Sequence, residues 1–390
     1  MHILLLTPQP FYQERGTPIA ANLMLRAFSA RGDTVDQLAY AEGQDVTHPG
    51  CALHRIPRVP FTQGIRPGFS GKKLLCDVVF FWSALGRILR RRPDLIVATE
   101  EAVFIARFWG AVFRIPFVYD MDSLMSQQIR DGGGAVAKAA GLLEWMERGA
   151  ARAAAGVIAV CDALGDFARA AGARKVAIVR DISLLPDAAG ATPEPLRAEL
   201  GIGPGPIFLY LGNLEKYQGV DLLLEAFGRM AAREPSASLV CVGGPPHVAA
   251  TLAARAESMG LQGRAFFPGP RPVARMAALF AAADVLVSPR ITGNNTPMKI
   301  YSYLHSGRPV LATDIPSHTQ VLTPEIAALT PPEPEAMAAA MLDLACDPVR
   351  RERLAAAAKT LAEERHTWPA FQRDFNHFFA DVAAALRRTP

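Results

Sequence analysis

Two stretches in the second half of the sequence gather side chains suited to holding an anion. One runs Tyr210-Leu211-Gly212-Asn213-Leu214-Glu215-Lys216-Tyr217-Gln218-Gly219-Val220-Asp221 and leads into an apolar helical pattern. The other runs Ser288-Pro289-Arg290-Ile291-Thr292-Gly293-Asn294-Asn295-Thr296-Pro297-Met298-Lys299 and continues through Ser302 to a glycine stop at Gly307. In each, a short apolar run enters a polar, glycine-containing loop, and a helix follows. Open α/β sheets bind ligands at the carboxyl ends of their strands, and helix-start amides favour negative charge. Arg290 and Lys299 flank the second loop, so a polyanion is its natural ligand. Asn294, Asn295 and Thr296 add uncharged hydrogen-bonding groups to the same loop. An ordinary turn competes as a reading of the first stretch.

Weaker signals stand elsewhere. Arg15-Gly16-Thr17-Pro18 follows the first apolar run, and Pro18 suits a first helical turn. Gly16 lets the backbone approach a ligand, although a plain strand–helix turn explains it equally well. Cys241-Val242-Gly243-Gly244-Pro245 is another strand running into glycines, and a lone Gly-Gly says little. Asp120 and Asp122 end the run Val118-Tyr119-Asp120-Met121-Asp122-Ser123. Asp122 reads as a sugar or acceptor ligand, or as a helix N-cap or turn residue.

These loops need a scaffold that presents strand ends. Short apolar runs recur at Ile3–Leu6, Leu95–Ala98, Phe117–Tyr119 and Val157–Val160, then at Ile207–Leu211, Ser238–Val242, Phe266–Phe267, Val285–Val287 and Val310–Ala312. Ala- and Leu-rich segments of helical length lie between most of them. That alternation predicts an α/β fold with doubly wound parallel sheets. It breaks once, near residues 183–190, where Pro, Gly and Ala accumulate. A short helix over Pro193–Leu200 and a fresh strand at Ile207 follow. Trp368 to Leu386 carries Phe371, Phe375, Phe378 and Phe379 at helical spacing and reads as a terminal helix that packs on something.

Composition sets limits. The 390 residues suit two domains. A net charge of +4 is too mild to argue for nucleic acid. The five cysteines include no C-x-x-C pair, which disfavours a zinc site or a disulfide framework and favours a reducing compartment. MHILLLTPQP lacks a basic leader and reads as a first strand rather than a signal peptide. With no run of about 20 apolar residues, a cytoplasmic location is expected.

Taken in order, these segments resemble the retaining glycosyltransferases of family 4, which have the GT-B fold. The likeness is most specific in G-N-L-E-K-Y-Q-G-V-D-L-L-L-E-A-F and T-P-M-K-I-Y-S-Y-L-H-S-G-R-P-V-L-A-T. It implies two Rossmann-like domains facing a cleft: an acceptor-binding domain over 1–185, a nucleotide-sugar domain over 186–366, and a C-terminal helix over 367–390 that crosses back to the first. It further implies donor-binding roles for Gly16, Gly212, Asn213, Lys216, Gln218, Gly243, Thr292, Asn294, Asn295, Thr296 and Ser302, and catalytic roles for Asp122, Arg290 and Lys299. Arg15, Thr17 and Asp120 fall to the acceptor. The donor is a nucleotide sugar, a UDP-sugar by default, and no metal or other cofactor is expected.

The sequence departs from the family pattern at several places. Asn213 and Gln218 stand where members carry an Arg and a Lys for the pyrophosphate, and Asn294 and Ser302 where they carry paired glutamates. Asp122 takes the place of a histidine. In one reading Arg290 and Lys299 replace the missing cations. In another the donor site has decayed and the chain is a non-catalytic partner. A sugar-nucleotide epimerase is a further alternative within the fold, although His305 and His318 are the nearest histidines it has to work with.

The acceptor is hinted at by Lys72 to Arg92, KKLLCDVVFFWSALGRILRRR, where basic ends bracket Phe80, Phe81 and Trp82. A basic amphipathic helix suits an anionic lipid surface; a core helix with a solvated basic end is the bland alternative. The loop Phe61–Phe69 before it is a candidate border of the acceptor site. A lipid, lipid-linked sugar or glycoconjugate acceptor is expected, with peripheral binding at the inner face of a membrane.

Overall fold

The computed structural model describes residues 1–14, 16–62, 64, 71–133, 135–185 and 192–388. Arg15, most of the loop Phe61–Phe69 and the later part of the linker at 183–190 lie outside the described residues. The chain forms two compact units, Met1–Arg180 with Phe371–Pro390, and Asp181–Ala370.

The first unit is built on seven strands: β1 (His2–Thr7), β2 (Thr34–Ala39), β3 (Cys51–Arg55), β4 (Leu95–Thr99), β5 (Phe117–Met121), β6 (Gly156–Ala159) and β7 (Val176–Ile178). Their spatial order is β3-β2-β1-β4-β5-β6-β7, and every neighbouring pair is parallel. The helices are α1 (Gly16–Ala30), α2 (Gly71–Arg90), α3 (Ala102–Phe113), α4 (Met125–Gly132), α5 (Ala140–Ala153) and α6 (Asp162–Ala170). β1 and β4 are buried along their whole length, which is why they read as unbroken apolar runs.

The second unit repeats the plan with β8 (Ile207–Leu211), β9 (Ser238–Val242), β10 (Ala265–Gly269), β11 (Val285–Ser288), β12 (Val310–Thr313) and β13 (Ala328–Thr330). The order is β10-β9-β8-β11-β12-β13, again parallel throughout. Its helices are α7 (Leu196–Leu200), α8 (Val220–Ala231), α9 (Pro246–Ser258), α10 (Met276–Ala281), α11 (Lys299–His305), α12 (Pro316–Thr319), α13 (Pro334–Cys346) and α14 (Pro348–Arg365). In both sheets the order reverses beside the first strand, between β1 and β4 and between β8 and β11. Such switch points open a crevice at the strand ends.

The final helix, α15 (Trp368–Arg388), belongs to the first unit from Phe371 onward. The rings of Phe375 and Phe379 each sit edge-on to Phe28, 4.8 Å away. Gly156 makes room for Phe378, since a Cβ there would stand 2.7 Å from that ring.

Four strands have no clear apolar run in the sequence. β2 reads TVDQLA, and its Asp36 is kept in the sheet by His2 at 2.9 Å and His54 at 3.0 Å. β3 is a half-exposed edge strand, and β7 and β13 are three-residue edges. Helix α11 starts at Lys299 rather than Pro297, and α7 at Leu196 rather than Pro193. Among the described residues, no helix is long and apolar enough to cross a membrane.

Candidate functional site

The two loops with the strongest sequence signal leave β8 and β11, the neighbours at the second unit's switch point. The structure ties them together. The Ile291 amide donates to the Tyr217 carbonyl at 3.0 Å, and Lys299 Nζ donates to Gln218 Oε1 at 3.2 Å. Gln218 is buried, so its amide oxygen serves the lysine rather than solvent.

Lys299 is the chemical centre of this cluster. Its side chain is partly covered, and the ammonium lies 4.1 Å from the centroid of the Tyr210 ring. Desolvation, reinforced by the Arg290 guanidinium, lowers its pKa to about 7. Among the described residues no carboxylate balances it there, an environment that suits an anion. The neighbouring backbone is bare. A Cβ on Gly212 would stand 2.9 Å from the Tyr210 hydroxyl and 3.3 Å from Lys299 Nζ. Gly243 has φ +126°, and a Cβ there would run into the Gly212 carbonyl oxygen. Both positions therefore require glycine on packing grounds alone. Their amides extend the sheet: Gly212 donates to Val242 and Gly243 to Gly269, each at 3.0 Å.

Arg290 takes a different part from the one its sequence position implies. Its guanidinium donates to the Thr292 carbonyl at 2.7 Å, to the Asn295 carbonyl at 2.9 Å and to Asn295 Oδ1 at 3.1 Å. It is also stacked over Tyr217, 5.2 Å from the ring centroid, and is only 7 % exposed. The fork shapes its own loop, with Asn295 as its partner. Its charge is felt at Lys299, where it helps to lower the lysine's pKa.

The other donor candidates divide. Thr296 is 5 % exposed, and its hydroxyl is buried without a hydrogen-bond partner, as a ligand-facing group would be. Thr292 and Asn294 are exposed on the loop, and the Asn294 carbonyl accepts from Gln320 at 2.7 Å. The Asn213 carbonyl accepts from the Tyr210 hydroxyl, and its side chain accepts from the Glu215 amide at 3.4 Å. Ser302 is 1 % exposed and its hydroxyl accepts from the Leu184 amide at 3.1 Å. That bond anchors the entry to the second unit. Lys216 is exposed in the 3₁₀ turn Lys216–Gln218, where it lines a pocket of about 250 Å³ with Glu215, Asp221 and Val248. Neither Lys299 nor Arg290 lines that pocket.

Two supports escaped the sequence reading. The Tyr303 hydroxyl accepts from the Leu211 amide at 3.0 Å, holding the end of β8. His318 bridges β11 and β12: Nε2 lies 2.9 Å from Ser288 Oγ and Nδ1 2.8 Å from the Thr313 carbonyl. A carbonyl only accepts, so Nδ1 carries the proton and Nε2 accepts from Ser288. Burial pushes the His318 pKa down to about 3, which keeps it a neutral strut.

At the carboxyl ends of β1, β4 and β5 in the first unit, the polar side chains include carboxylates, amides and hydroxyls. Asp120 is buried in β5 and accepts from Thr99 Oγ1 at 2.9 Å, which gives it a structural task between strands. Glu100 accepts from Ser123 at 3.0 Å, and Asp122, 8 % exposed, lies just before that serine. Gly16 and Thr17 open α1; Gly16 is exposed, and nothing lies within 4 Å of a Cβ placed there. The protein's own packing does not demand that glycine. Gln9, after β1, was not singled out in the sequence, yet its Nε2 is buried without a partner. A buried donor of this kind has no periodic signal.

Comparison with known proteins places both halves. Residues 15–180 match the profile described as "Glycosyl transferase 4-like domain", and residues 205–347 match "Glycosyl transferases group 1". The D-inositol 3-phosphate glycosyltransferase of Nocardia farcinica is 33 % identical over 129 residues, 30 % of this chain and 28 % of that protein. The matched stretch is thus under a third of that relative's length. Among solved structures, sucrose-phosphate synthase from Thermosynechococcus elongatus has a TM-score of 0.79 at 18 % identity, covering 98 % of this chain and 99 % of that one. Anabaena HepE in complex with UDP has a TM-score of 0.74 at 18 % identity, covering 98 % and 100 %. These likenesses establish the GT-B fold.

Proposed function

We propose that this chain, which belongs to the group 1 and 4-like glycosyltransferases, moves a sugar from a nucleotide-sugar donor on its second unit to a hydroxyl acceptor on its first. The single observation that carries this reading is Lys299: a desolvated ammonium at the ends of β8 and β11 with no carboxylate among the described residues to balance it. A diphosphate needs compensating charge in a partly dry site, and this lysine supplies it. Gln218 holds the ammonium and Arg290 holds the loop that carries Thr296. The matched relative is named for transfer to an inositol phosphate, and HepE is in complex with UDP, so a hydroxylated acceptor and a UDP-sugar are the starting choices.

The reaction we assign is metal-independent and retaining. The bond from the sugar's anomeric carbon to the diphosphate breaks, and the acceptor oxygen forms its bond on the same face. The acceptor proton passes to a phosphate oxygen of the departing diphosphate, so no carboxylate base is needed. The protein's share is orientation of both partners and stabilisation of the leaving charge by Lys299. We assign to Asp122 the task of holding an acceptor hydroxyl.

A membrane location for the acceptor is supported by α2. It buries one narrow stripe, Cys76, Phe80, Ala84 and Ile88, which is all a packed helix requires. Its other face exposes Leu74, Leu75, Val78, Trp82 and Leu89, with Arg90, Arg91 and Arg92 at its end. Such a face suits the inner surface of an anionic bilayer.

The competing reading is a non-catalytic partner, favoured by Ser302, which is committed to the Leu184 amide where a ribose ligand would be expected. An epimerase is disfavoured because both nitrogens of His318 are bonded. Incubation with UDP-, GDP-, ADP- and TDP-sugars, read by thermal shift and diphosphate release, separates the readings. Stabilisation by one donor with slow release of its diphosphate is expected. No shift with any donor at millimolar concentration would hand the case to the non-catalytic partner.

A further inference from the structure

The first unit contains a pocket of about 410 Å³ that no step above uses, enclosed by α2, α3, α4 and α5. Its walls are apolar, with Phe81, Ile105, Ile129 and Leu143 among them. Leu74 and Val78 also line it and are 56 % and 55 % exposed, so its apolar wall runs on into the exposed face of α2. Its polar lining groups are Lys73, Asp77, Glu101 and Gln128, and Gln128 donates to the Ser123 hydroxyl at 2.8 Å.

These groups lead to the strand edge. Lys73 Nζ lies 2.5 Å from Glu101 and 4.0 Å from Glu100, and Glu100 accepts from Ser123 at 3.0 Å. Met125, two residues past Ser123, lines the pocket. An apolar slot open at a lipid-suited face and ending in hydrogen-bonding groups beside Asp122 has the polarity of an amphiphile. Its volume is that of a small-ligand site and is too small for a helix about 10 Å across.

We infer that this pocket takes the hydrocarbon chain of a lipid acceptor, with the lipid's hydroxylated head at the Glu100–Ser123 edge. The inference rests on the first unit's being the acceptor half. Three carboxylates against one lysine disfavour an anionic head. Asp77 accepts from the Tyr40 hydroxyl and Glu101 pairs with Lys73, so the head's hydroxyls fall to the Glu100–Ser123 edge.

The test is calorimetric binding of hexyl, octyl and decyl β-glucosides to the full chain, below their micellar concentrations and without nucleotide. Affinity should rise about fourfold per methylene, the equivalent of ~0.8 kcal/mol for a buried CH₂. Ile129→Trp and Leu143→Trp, each checked for an unchanged circular dichroism spectrum, should flatten that series. Charge reversal at Arg90, Arg91 and Arg92 should abolish flotation with anionic liposomes and leave the series intact. A wild-type series with no chain-length dependence overturns the proposal, and so does an undiminished slope in both folded tryptophan variants. Decyl phosphate binding as tightly as decyl glucoside overturns the neutral head. Omitting the donor keeps failure here separate from failure of the donor site.

Discussion

The two units share one strand order and one kind of switch point, yet their strand ends carry opposite charge. Beside β8 and β11 stand Lys299 and Arg290; beside β4 and β5 stand Glu100, Asp120 and Asp122. The backbone plan supplies a crevice in both cases. Loop side chains decide what each crevice attracts, so one fold copied twice can separate a polyanionic donor from a neutral, hydroxylated acceptor.

The harshest way to break the contrast is Gly243→Val. The new side chain collides with the Gly212 carbonyl in a backbone conformation that suits glycine. A loss of about 2 kcal/mol in stability is expected, with turnover down by about a hundredfold as Gly212 is displaced from the lysine. Wild-type turnover in this variant would mean the glycine pair is ordinary strand-end packing.

Lys299→Met tests the charge itself. Removing a desolvated cation from a leaving diphosphate should cost about a hundredfold in kcat/KM. The pH dependence gives the sharper signature. The folded lysine titrates near 7 against 10.5 for an unperturbed one, so between those values the unfolded chain holds a proton the folded chain lacks. Stability therefore rises with pH across that window, and burial of the charge opposes folding below it. Donor binding runs the other way: it is strongest below about pH 7 and weakens by up to about tenfold per unit above, where binding must take up a proton. Titration calorimetry of a UDP-sugar at pH 6, 7 and 8 should give that slope in the wild type and none in Lys299→Met.

The smallest effect probes the acidic edge. Asp122→Asn should raise the acceptor KM about tenfold, the scale of one charged hydrogen bond, and leave donor affinity unchanged. A fall in donor affinity instead would end the division of labour between the two edges.

Much of this was legible in the residues. β8, β9, β11 and β12 are buried on both faces and announce themselves as apolar runs bounded by Gly and Pro, and the loops after β8 and β11 stand out by their polar content. β2 was harder to see because Asp36 breaks its pattern, and that charge is held by His2 and His54 on the flanking strands β1 and β3. Arg290 and Ser302 look like ligand groups in sequence. Only the folded chain reveals Asn295 as the partner of one and Leu184 as the partner of the other.

What the sequence by itself determined is the alternating architecture and the position of the strand-end loops. Both are local: they follow from periodicity, from glycine and from residue type. What only the tertiary structure decided is which polar groups are bonded within the fold. That choice depends on hydrogen bonds between residues as far apart as Leu184 and Ser302, or Gln218 and Lys299. The lowered pKa of Lys299 belongs to the same class, because desolvation is a property of what surrounds a charge in space.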